Sequence, residues 1–248
     1  MRQGFAEVTA IDAAGPFARV RFSAPEMAPA LEPGRPILAR MVESYLRCTW
    51  WPCAIGAGGF SMLVANPSSL ALRAGDRVDA LGPVGRGFQV DNASRNLLLV
   101  AAGSGAPIPD LGPLLALIDR ALAGGRAVTL AYAAPSAEQA YPVSALPADI
   151  EVIRAIGVDL VDLLADAIAW ADQVFGCGPD SFNVRLAGIV ESIRFPAPRG
   201  FVQALCPVEL ACGAGACYAC WSGSRLACVD GPVFELTPRQ TRSSDFSR

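Results

Sequence analysis

Four cysteines near the carboxyl end of the chain have a spacing that could hold a metal centre. They read C-x4-C-x2-C-x7-C and are Cys212, Cys217, Cys220 and Cys228. Three thiolates at the first two of these spacings, completed by a fourth cysteine downstream, are the ligand pattern of a [2Fe–2S] cluster. Two glycines between the first two cysteines remove Cβ atoms where the backbone must approach bridging sulfides. The backbone N–H groups there would donate to sulfur and help to set the reduction potential.

Other interpretations of these cysteines stay open. A structural zinc site usually takes two short paired knuckles, and a four-residue spacing followed by a two-residue spacing fits that poorly. Disulfide bonds would need an oxidising compartment, and the thiols could also be buried without any ligand. Cys206 lies six residues before the first of the four. It could be an alternative ligand, but we interpret it as a small buried hydrophobe.

The composition excludes several other kinds of chemistry. The chain has 248 residues and a net charge of −3, which gives no basic surface for nucleic acid. All 20 basic residues are arginine, and there is no histidine. The lack of histidine excludes a Rieske centre and a histidine general base, and the lack of lysine excludes Schiff-base catalysis and a P-loop. The remaining chemistry must be carried by a cofactor.

The sequence also bears on location. The first residues show no signal-peptide pattern, and no apolar run reaches the roughly 18 residues of a membrane-spanning helix. Eight cysteines without an export signal indicate a reducing compartment and a metal site. We therefore expect a cytoplasmic protein that does not insert directly into a membrane.

Three parts of the chain differ in pattern, and together they predict a β plus α/β fold. Residues 1–93 contain short strands separated by Gly and Pro, which indicates a small antiparallel β-barrel domain. Residues 94–196 alternate buried strands with helices, including a helix over Leu160 to Trp170, so a Rossmann-like parallel α/β domain is expected. Residues 197–248 would form a small lobe around the cysteines.

Three motifs carry a resemblance to a known family across nearly the whole chain. They are Gly75 to Phe88 (GDRVDALGPVGRGF), Gly176 to Pro179 (GCGP), and Cys212 to Cys228 followed by Asp230 to Phe234 (DGPVF). With these motifs the chain resembles the electron-transfer subunit of class 1B dihydroorotate dehydrogenase, in the ferredoxin reductase superfamily. The resemblance implies that the barrel holds FAD, that the parallel sheet binds NAD(H), and that the cluster relays single electrons to a partner subunit carrying FMN.

The resemblance also implies where FAD would bind. The family's flavin motif is Arg-Pro-x-Ser, whose arginine neutralises the flavin pyrophosphate. The corresponding residues here are Trp51, Pro52, Cys53 and Ala54, so the arginine and the serine are both replaced. Arg47, four residues upstream, could substitute for the missing arginine.

A second phosphate-binding element of the family, Gly-x-Gly-Thr, corresponds here to Asn66-Pro67-Ser68-Ser69. Ser68 or Ser69 could cap a helix whose N–H groups bind phosphate, or either could be an ordinary N-cap. Gly82, in the first motif, is also assigned to the flavin site by the resemblance.

The nucleotide half is expected to use two turns that follow strands. The cofactor-binding candidates there are Gly103, Gly105, Gly176, Cys177, Gly178 and Pro179. Cys177 would face the nicotinamide, or it could be a thiol of the core. The two glycines of the second turn could instead only allow a strand to turn tightly into a helix. Because the acidic loop and the arginine of the family are missing here, NAD(H) turnover is not favoured.

Some residues outside these motifs also invite a functional interpretation. Cys48 and Cys53 flank Trp50 and Trp51, but two cysteines cannot complete a metal site, so packing is the expected role of all four. Three aspartates at helical spacing resemble a carboxylate cluster, and we interpret them as a solvated helix face. They are Asp159, Asp162 and Asp166.

The function expected from the sequence is that of an electron-transfer subunit. A [2Fe–2S] cluster would relay electrons to or from a flavoprotein catalytic subunit in a hetero-oligomer, such as a dihydroorotate-dehydrogenase-like subunit. Two alternatives stay open. The chain could be a complete NADH-linked reductase subunit with FAD and the cluster, or a structural adaptor that retains only the cluster.

Overall fold

A computed structural model gives the fold and describes residues 1–41, 45–65, 72–102 and 111–236. Its strands are β1 Arg2–Ala14, β2 Phe17–Ser23, β3 Ile37–Arg40, β4 Cys48–Trp50, β5 Pro52–Gly56, β6 Gly59–Val64, β7 Arg77–Gly82, β8 Asn96–Ala102, β9 Ala127–Ala134, β10 Glu151–Ile156, β11 Gln173–Cys177, β12 Val202–Leu205, β13 Trp221–Ser222, β14 Arg225–Leu226 and β15 Val233–Glu235. Its α-helices are α1 Leu111–Ala123, α2 Ala165–Trp170, α3 Asp180–Ile193 and α4 Ala227–Asp230. Short 3₁₀ helices are Ala28–Ala30, Val143–Ala145 and Leu160–Leu163.

The first seven strands form one antiparallel sheet in the order β4-β3-β7-β1-β2-β6-β5. Its two edge strands, β4 and β5, are consecutive in the chain and separated only by Trp51. The sheet therefore curls round until its edges meet, as a nearly closed barrel. Apolar side chains fill its interior, where the rings of Phe22 and Phe60 stack with centroids 4.9 Å apart. The antiparallel barrel predicted from the sequence is confirmed.

The second sheet has six strands in the order β10-β9-β8-β11-β12-β15. It is parallel except for β15, which runs antiparallel to β12. The first five strands therefore follow the doubly wound order 3-2-1-4-5. Leu99 and Phe175 face α1 on one side of this sheet, and Val100 and Val174 face α3 on the other. Strand β8 is buried on both faces, as its continuous apolar run predicts. The Rossmann-like half of the predicted fold is confirmed.

The barrel packs against the parallel-sheet half through helix α1. Phe17 and Cys53 of the barrel belong to the same buried cluster as Leu111 of α1 and Tyr141. The rings of Phe17 and Tyr141 lie 5.7 Å apart. The barrel and the parallel sheet thus share one continuous hydrophobic core on the side of α1. The boundaries at residues 93 and 196 stay predictions.

One predicted element is wrong. The helix expected over Leu160 to Trp170 is a 3₁₀ turn followed by the short helix α2. Asp159 caps the start of the 3₁₀ turn, where its carboxylate accepts a hydrogen bond from Val161 N at 3.1 Å and pairs with Arg185 of α3 at 2.5 Å. The turn ends where Leu164 N donates to the carbonyl oxygen of Val161 at 3.3 Å, and α2 begins at the next residue. Asp162 and Asp166 are exposed, as predicted. Among the described residues no helix is long and apolar enough to cross a membrane.

Candidate metal centre

The cysteine loop lies directly on the barrel. Gly213 has a φ of +68°, and a Cβ atom there would lie 2.9 Å from Leu38 Cδ1 and 3.0 Å from Val84 Cγ2. The loop can therefore approach β3 this closely only because the residue is glycine. Leu210 N donates to Thr49 Oγ1 at 2.9 Å, which ties the start of the loop to β4. The barrel therefore positions the loop through β3 and through its edge strand β4.

Two of the sequence motifs meet beneath the loop. Arg86 N donates to the carbonyl oxygen of Gly231 at 2.5 Å. A Cβ atom at Gly85 would lie 2.1 Å from that same oxygen, so only glycine allows the contact. The turn that follows β7 and the turn before β15 are thus locked together. This contact explains physically why position 85 is glycine.

The four cysteine side chains lie close together in two pairs. The side chains of Cys212 and Cys217 interact by a hydrogen bond, and so do those of Cys220 and Cys228. Cys212 is also close enough to Cys228 for their charges to interact. Cys220 and Cys228 are each 4% exposed, whereas Cys217 is exposed. The loop therefore presents a buried pair and a more accessible pair of sulfur atoms.

Backbone N–H groups point at these sulfur atoms. Ala214 N donates to Cys212 Sγ at 3.4 Å, and Gly215 N donates to Cys228 Sγ at 3.2 Å. Hydrogen bonds from the N–H groups of Ala214 and Cys217 lower the pKa of Cys212 to about 6. Burial, followed by the neighbouring Cys220 thiol, raises the pKa of Cys228 to about 11. Metal binding would therefore have to release the proton of Cys228.

This donor set fits a two-iron cluster. Such a cluster needs four thiolates, two for each iron, with N–H groups directed at sulfur, and the described loop supplies both. In the part of the chain that the structure describes, no three acidic, cysteine or histidine side chains already converge as on a single ion. Two pairs of sulfur atoms could supply two thiolates to each iron of a sulfide-bridged pair.

No fully exposed residue between positions 211 and 229 is charged, although Glu209 just before this range is exposed and Arg225 within it is half-buried. The exposed residues between positions 211 and 229 are Ala211, Ala214, Ala216, Cys217, Tyr218, Ala219, Trp221, Gly223, Ser224 and Val229. Tyr218 and Trp221 are 62% and 51% exposed, and their rings stack 6.2 Å apart. Among described residues other than glycine, Tyr218 alone has a positive φ, of +56°. We call this set of residues the uncharged face.

The residues predicted to contact FAD are held by other parts of the protein. Arg47 pairs with Asp79 at 2.8 Å and donates to two backbone carbonyls at 3.4 Å. Pro52 and Cys53 are buried, and Ala54 is half-buried. Gly82 is buried against strand β3, and a Cβ atom at Gly82 would lie 3.2 Å from the Cα atom of Ile37. Their assignment to flavin stays a prediction, and Ser68 and Ser69 lie outside the described residues.

The residues predicted to contact NAD(H) lie at the end of β11. Gly176, Cys177 and Gly178 are buried and Pro179 is half-buried. A Cβ atom at Gly178 would lie 2.8 Å from the carbonyl oxygen of Ala102, and one at Gly176 would lie 2.8 Å from a side-chain carbon of α3. Close packing thus accounts for both glycines. Their role in binding a nucleotide stays a prediction, and Gly103 and Gly105 lie outside the described residues.

The remaining cysteines and tryptophans mostly pack as expected. Cys206 is 2% exposed, and burial raises the pKa of its thiol to about 12. Trp50 fills the barrel core and Trp51 packs against the core shared with α1. The packing role expected for Cys48 is wrong, because its side chain points outward from the edge strand β4. The sequence analysis also missed Thr49, since nothing local marks its bond to the cysteine loop.

Comparison with solved structures defines the class of fold. The structure of an NADH-dependent reduced ferredoxin-NADP oxidoreductase matches with a TM-score of 0.73 at 19% identity, covering 94% of this chain and 88% of that one. The cytochrome P450 reductase GcoB of Amycolatopsis matches with a TM-score of 0.65 at 19% identity. This match covers 82% of the present chain and 69% of GcoB. The protein has a ferredoxin-reductase-like fold, and four of its cysteines lie in the C-terminal lobe.

Sequence comparison gives the family. A family model described as the iron-sulfur cluster binding domain of dihydroorotate dehydrogenase B matches residues 209–237. The matched segment contains all four cysteines, so the predicted iron–sulfur centre of this lobe is confirmed. Which side chains ligate it stays a prediction.

Two relatives are similar over a longer stretch. The electron transfer subunit of dihydroorotate dehydrogenase B from Shouchella clausii is 30% identical over 184 residues, covering 67% of this chain and 66% of the relative. The probable electron transfer subunit from Thermococcus kodakarensis is 31% identical over 176 residues, covering 66% and 67%. This chain belongs to the family of dihydroorotate dehydrogenase B electron transfer subunits. The alignments span about two thirds of the length of these relatives.

Proposed function

We propose that this protein is an electron-transfer subunit that relays single electrons through a [2Fe–2S] cluster. The ligands in this proposal are Cys212, Cys217, Cys220 and Cys228. The carrying observation is that these four side chains lie together as two pairs in a loop whose N–H groups donate to sulfur. The match of the same segment to an iron–sulfur domain supports the assignment independently.

The chemistry of such a relay needs one electron to enter and one to leave. An oxidised [2Fe–2S] cluster takes up a single electron and releases it again without bond breaking. The protein's contribution is to hold the cluster near the surface. Cys217 is exposed and would bring one sulfur ligand to the surface that meets a partner. Cys220 and Cys228 are buried and would shield the opposite side of the cluster from water.

The uncharged face supports a protein partner. Depletion of charge and enrichment in aromatic residues mark the core of protein interfaces. Tyr218 and Trp221 are large, exposed and stacked next to a proposed ligand. A non-glycine residue at positive φ costs free energy, and such strain is often found at functional sites. We propose that a flavoprotein catalytic subunit, such as a dihydroorotate-dehydrogenase-like subunit, docks here in a hetero-oligomer.

We also propose a cytoplasmic location. All eight cysteines lie within the described residues, and none of them forms a disulfide. Cysteines that form no disulfide, together with an iron–sulfur site, suit a reducing compartment. Fractionation of cells that produce the protein at native level would test this, and recovery in an exported fraction would contradict it.

The ligand assignment is tested with two single-cysteine variants. Cys217→Ser is expected to lose most of its iron, or to change the electron paramagnetic resonance of the reduced cluster, because a thiolate ligand is removed. Cys48→Ser is the matched control, since Cys48 is also an exposed cysteine but lies on β4. It should keep about two irons per chain. Unchanged iron and resonance in Cys217→Ser would refute the assignment.

The alternative of a complete NADH-linked reductase subunit is tested on the same samples. An electron-transfer subunit should have its cluster reduced by the reduced partner flavoprotein but not by NADH. Cluster reduction is measured as the loss of the cluster's visible absorbance. Rapid reduction by NADH alone would favour the complete reductase.

A further inference from the structure

The family implies FAD in the barrel, and the arginine of its flavin motif has no counterpart at the same position here. Trp51 stands where the family has the arginine that neutralises the flavin pyrophosphate. Arg47, the nearest substitute in sequence, is only 18% exposed at its side chain and pairs with Asp79 at 2.8 Å. It also donates to the carbonyl oxygens of Leu38 and Asp79. Binding a pyrophosphate would break these contacts of Arg47, although Asp79 would keep its ion pair with Arg40 at 3.0 Å.

The space for a flavin ring is also filled. Helix α1 packs on strand β5 at the residues of the expected flavin motif. A Cβ atom at Gly112 of α1 would lie 3.5 Å from the carbonyl oxygen of Trp51 and 3.6 Å from Cys53 Cβ. Carbon atoms in contact lie about 3.5–4 Å apart, so a ring inserted between two surfaces needs a gap of about 7 Å. The gap between α1 and β5 here holds little more than a methyl group.

Close to Cys53, a polar contact joins the barrel to the α/β half of the chain. Arg19 of β2 donates to Tyr141 Oη at 3.2 Å, and Tyr132 Oη donates to the carbonyl oxygen of Tyr141 at 2.7 Å. Cys53 is 1% exposed, and Tyr141 is fully buried. Burial raises the pKa of the Cys53 thiol to about 11, as expected for a side chain sealed in the core. Cys53 and Tyr141 thus lie in the same sealed core as α1.

We infer that this protein holds no flavin between its barrel and its parallel sheet, so that the cluster is its one redox centre. This inference rests on the proposed function for the cluster. It means that the protein cannot split the electron pair of a hydride into single electrons. Each electron that reduces the cluster must come singly from a reduced flavin or iron–sulfur centre of another protein. It must leave singly to an oxidised centre of the same kind.

The test is a stoichiometry and an electron count on the full chain. Protein purified without oxygen is expected to release less than about 0.1 flavin per chain on acid denaturation, and to take up about one electron per chain in a dithionite titration. A chain that carried FAD as well would take up about three electrons. Flavin near one per chain, or an uptake near three electrons, would overturn the inference.

Loss of flavin during purification is controlled by adding it back. FAD is added up to about 100 µM, and binding is monitored by flavin fluorescence. This titration would detect a Kd as weak as about 100 µM. We expect no saturable binding, and saturable binding with one site per chain would overturn the inference. Iron is measured on the same sample. A lack of iron would contradict the proposed function, while the flavin titration would still decide the inference drawn here.

A double variant separates the missing charges from the missing space. Trp51→Arg with Ala54→Ser rebuilds the Arg-Pro-x-Ser stretch of the family. Because α1 would still cover Cys53, we expect this variant to bind no more FAD than the unchanged protein. Saturable FAD binding by the variant, with its far-ultraviolet circular dichroism unchanged, would overturn the steric argument.

Discussion

Replacing Gly213 by alanine tests whether the cysteine loop rests on the barrel. Gly213 and Gly125 both have a φ of +68°, but their surroundings differ. A Cβ atom at Gly213 would lie 2.9 Å from Leu38 and 3.0 Å from Val84, whereas nothing lies within 4 Å of a Cβ atom at Gly125. The two substitutions therefore introduce the same backbone strain, and only Gly213→Ala adds a steric clash.

The expected magnitudes follow from these two effects. An alanine in the left-handed region costs about 1–2 kcal/mol, which is the loss expected for Gly125→Ala. Inserting a methyl group into a packed contact adds about 1–3 kcal/mol. Gly213→Ala should therefore lower the free energy of unfolding by about 2–5 kcal/mol in total. The difference between the two variants, about 1–3 kcal/mol, measures the contact of the loop with β3 and Val84.

The assay is guanidinium unfolding without oxygen, followed by tryptophan fluorescence, with the slopes compared to confirm that the same surface is exposed. Iron per chain is measured beside it. We expect Gly213→Ala to bind less iron, because the backbone N–H groups of the loop would shift away from sulfur. Gly125→Ala should keep its iron. If both variants lose the same stability and keep the same iron, the loop does not rest on the barrel as described.

Two further substitutions test the barrel and the uncharged face. Hydrogen bonds from Gln3 and Arg47 outweigh the opposing effect of burial and hold the pKa of Asp79 below its usual value. Asp79→Asn should therefore cost about 1–3 kcal/mol near neutral pH. Asp79 stabilises the fold above its unfolded pKa of about 4, and this stabilisation is lost as the pH falls through its lower folded pKa. Below that pH, the variant and the unchanged protein should have the same unfolding midpoint. Trp221→Ala should weaken binding of the copurifying flavoprotein subunit at least about tenfold without loss of iron, whereas Phe195→Ala, an exposed aromatic outside the lobe, should not.

The fold could be predicted from the sequence where the local pattern is strong. The buried run of β8 and the helical spacing of α1 identified the parallel sheet, because both patterns repeat with the period of the element itself. Strands β4 and β5 were missed. They are the edges that close the barrel, and their partners β3 and β6 are chosen by tertiary contact and not by their own pattern.

The cluster could be predicted from the sequence because its requirements are local. Four thiolates at short spacings, with glycines between them, favour one kind of metal centre over the alternatives. The surroundings of the flavin motif are different in nature. The sequence shows that Trp51 departs from the family pattern. It does not show that α1 covers Trp51 and Cys53.

The sequence by itself thus determined the kind of redox centre, the two types of sheet and the excluded chemistry of histidine and lysine. The tertiary structure decided what lies against each candidate residue. Arg47 faces Asp79, Cys53 faces α1, and Gly213 faces Leu38, although each pair is separated by many residues in the chain. The physical reason is that ligand spacing is a property of a short segment, whereas the space and charge available to a cofactor are properties of how distant segments pack.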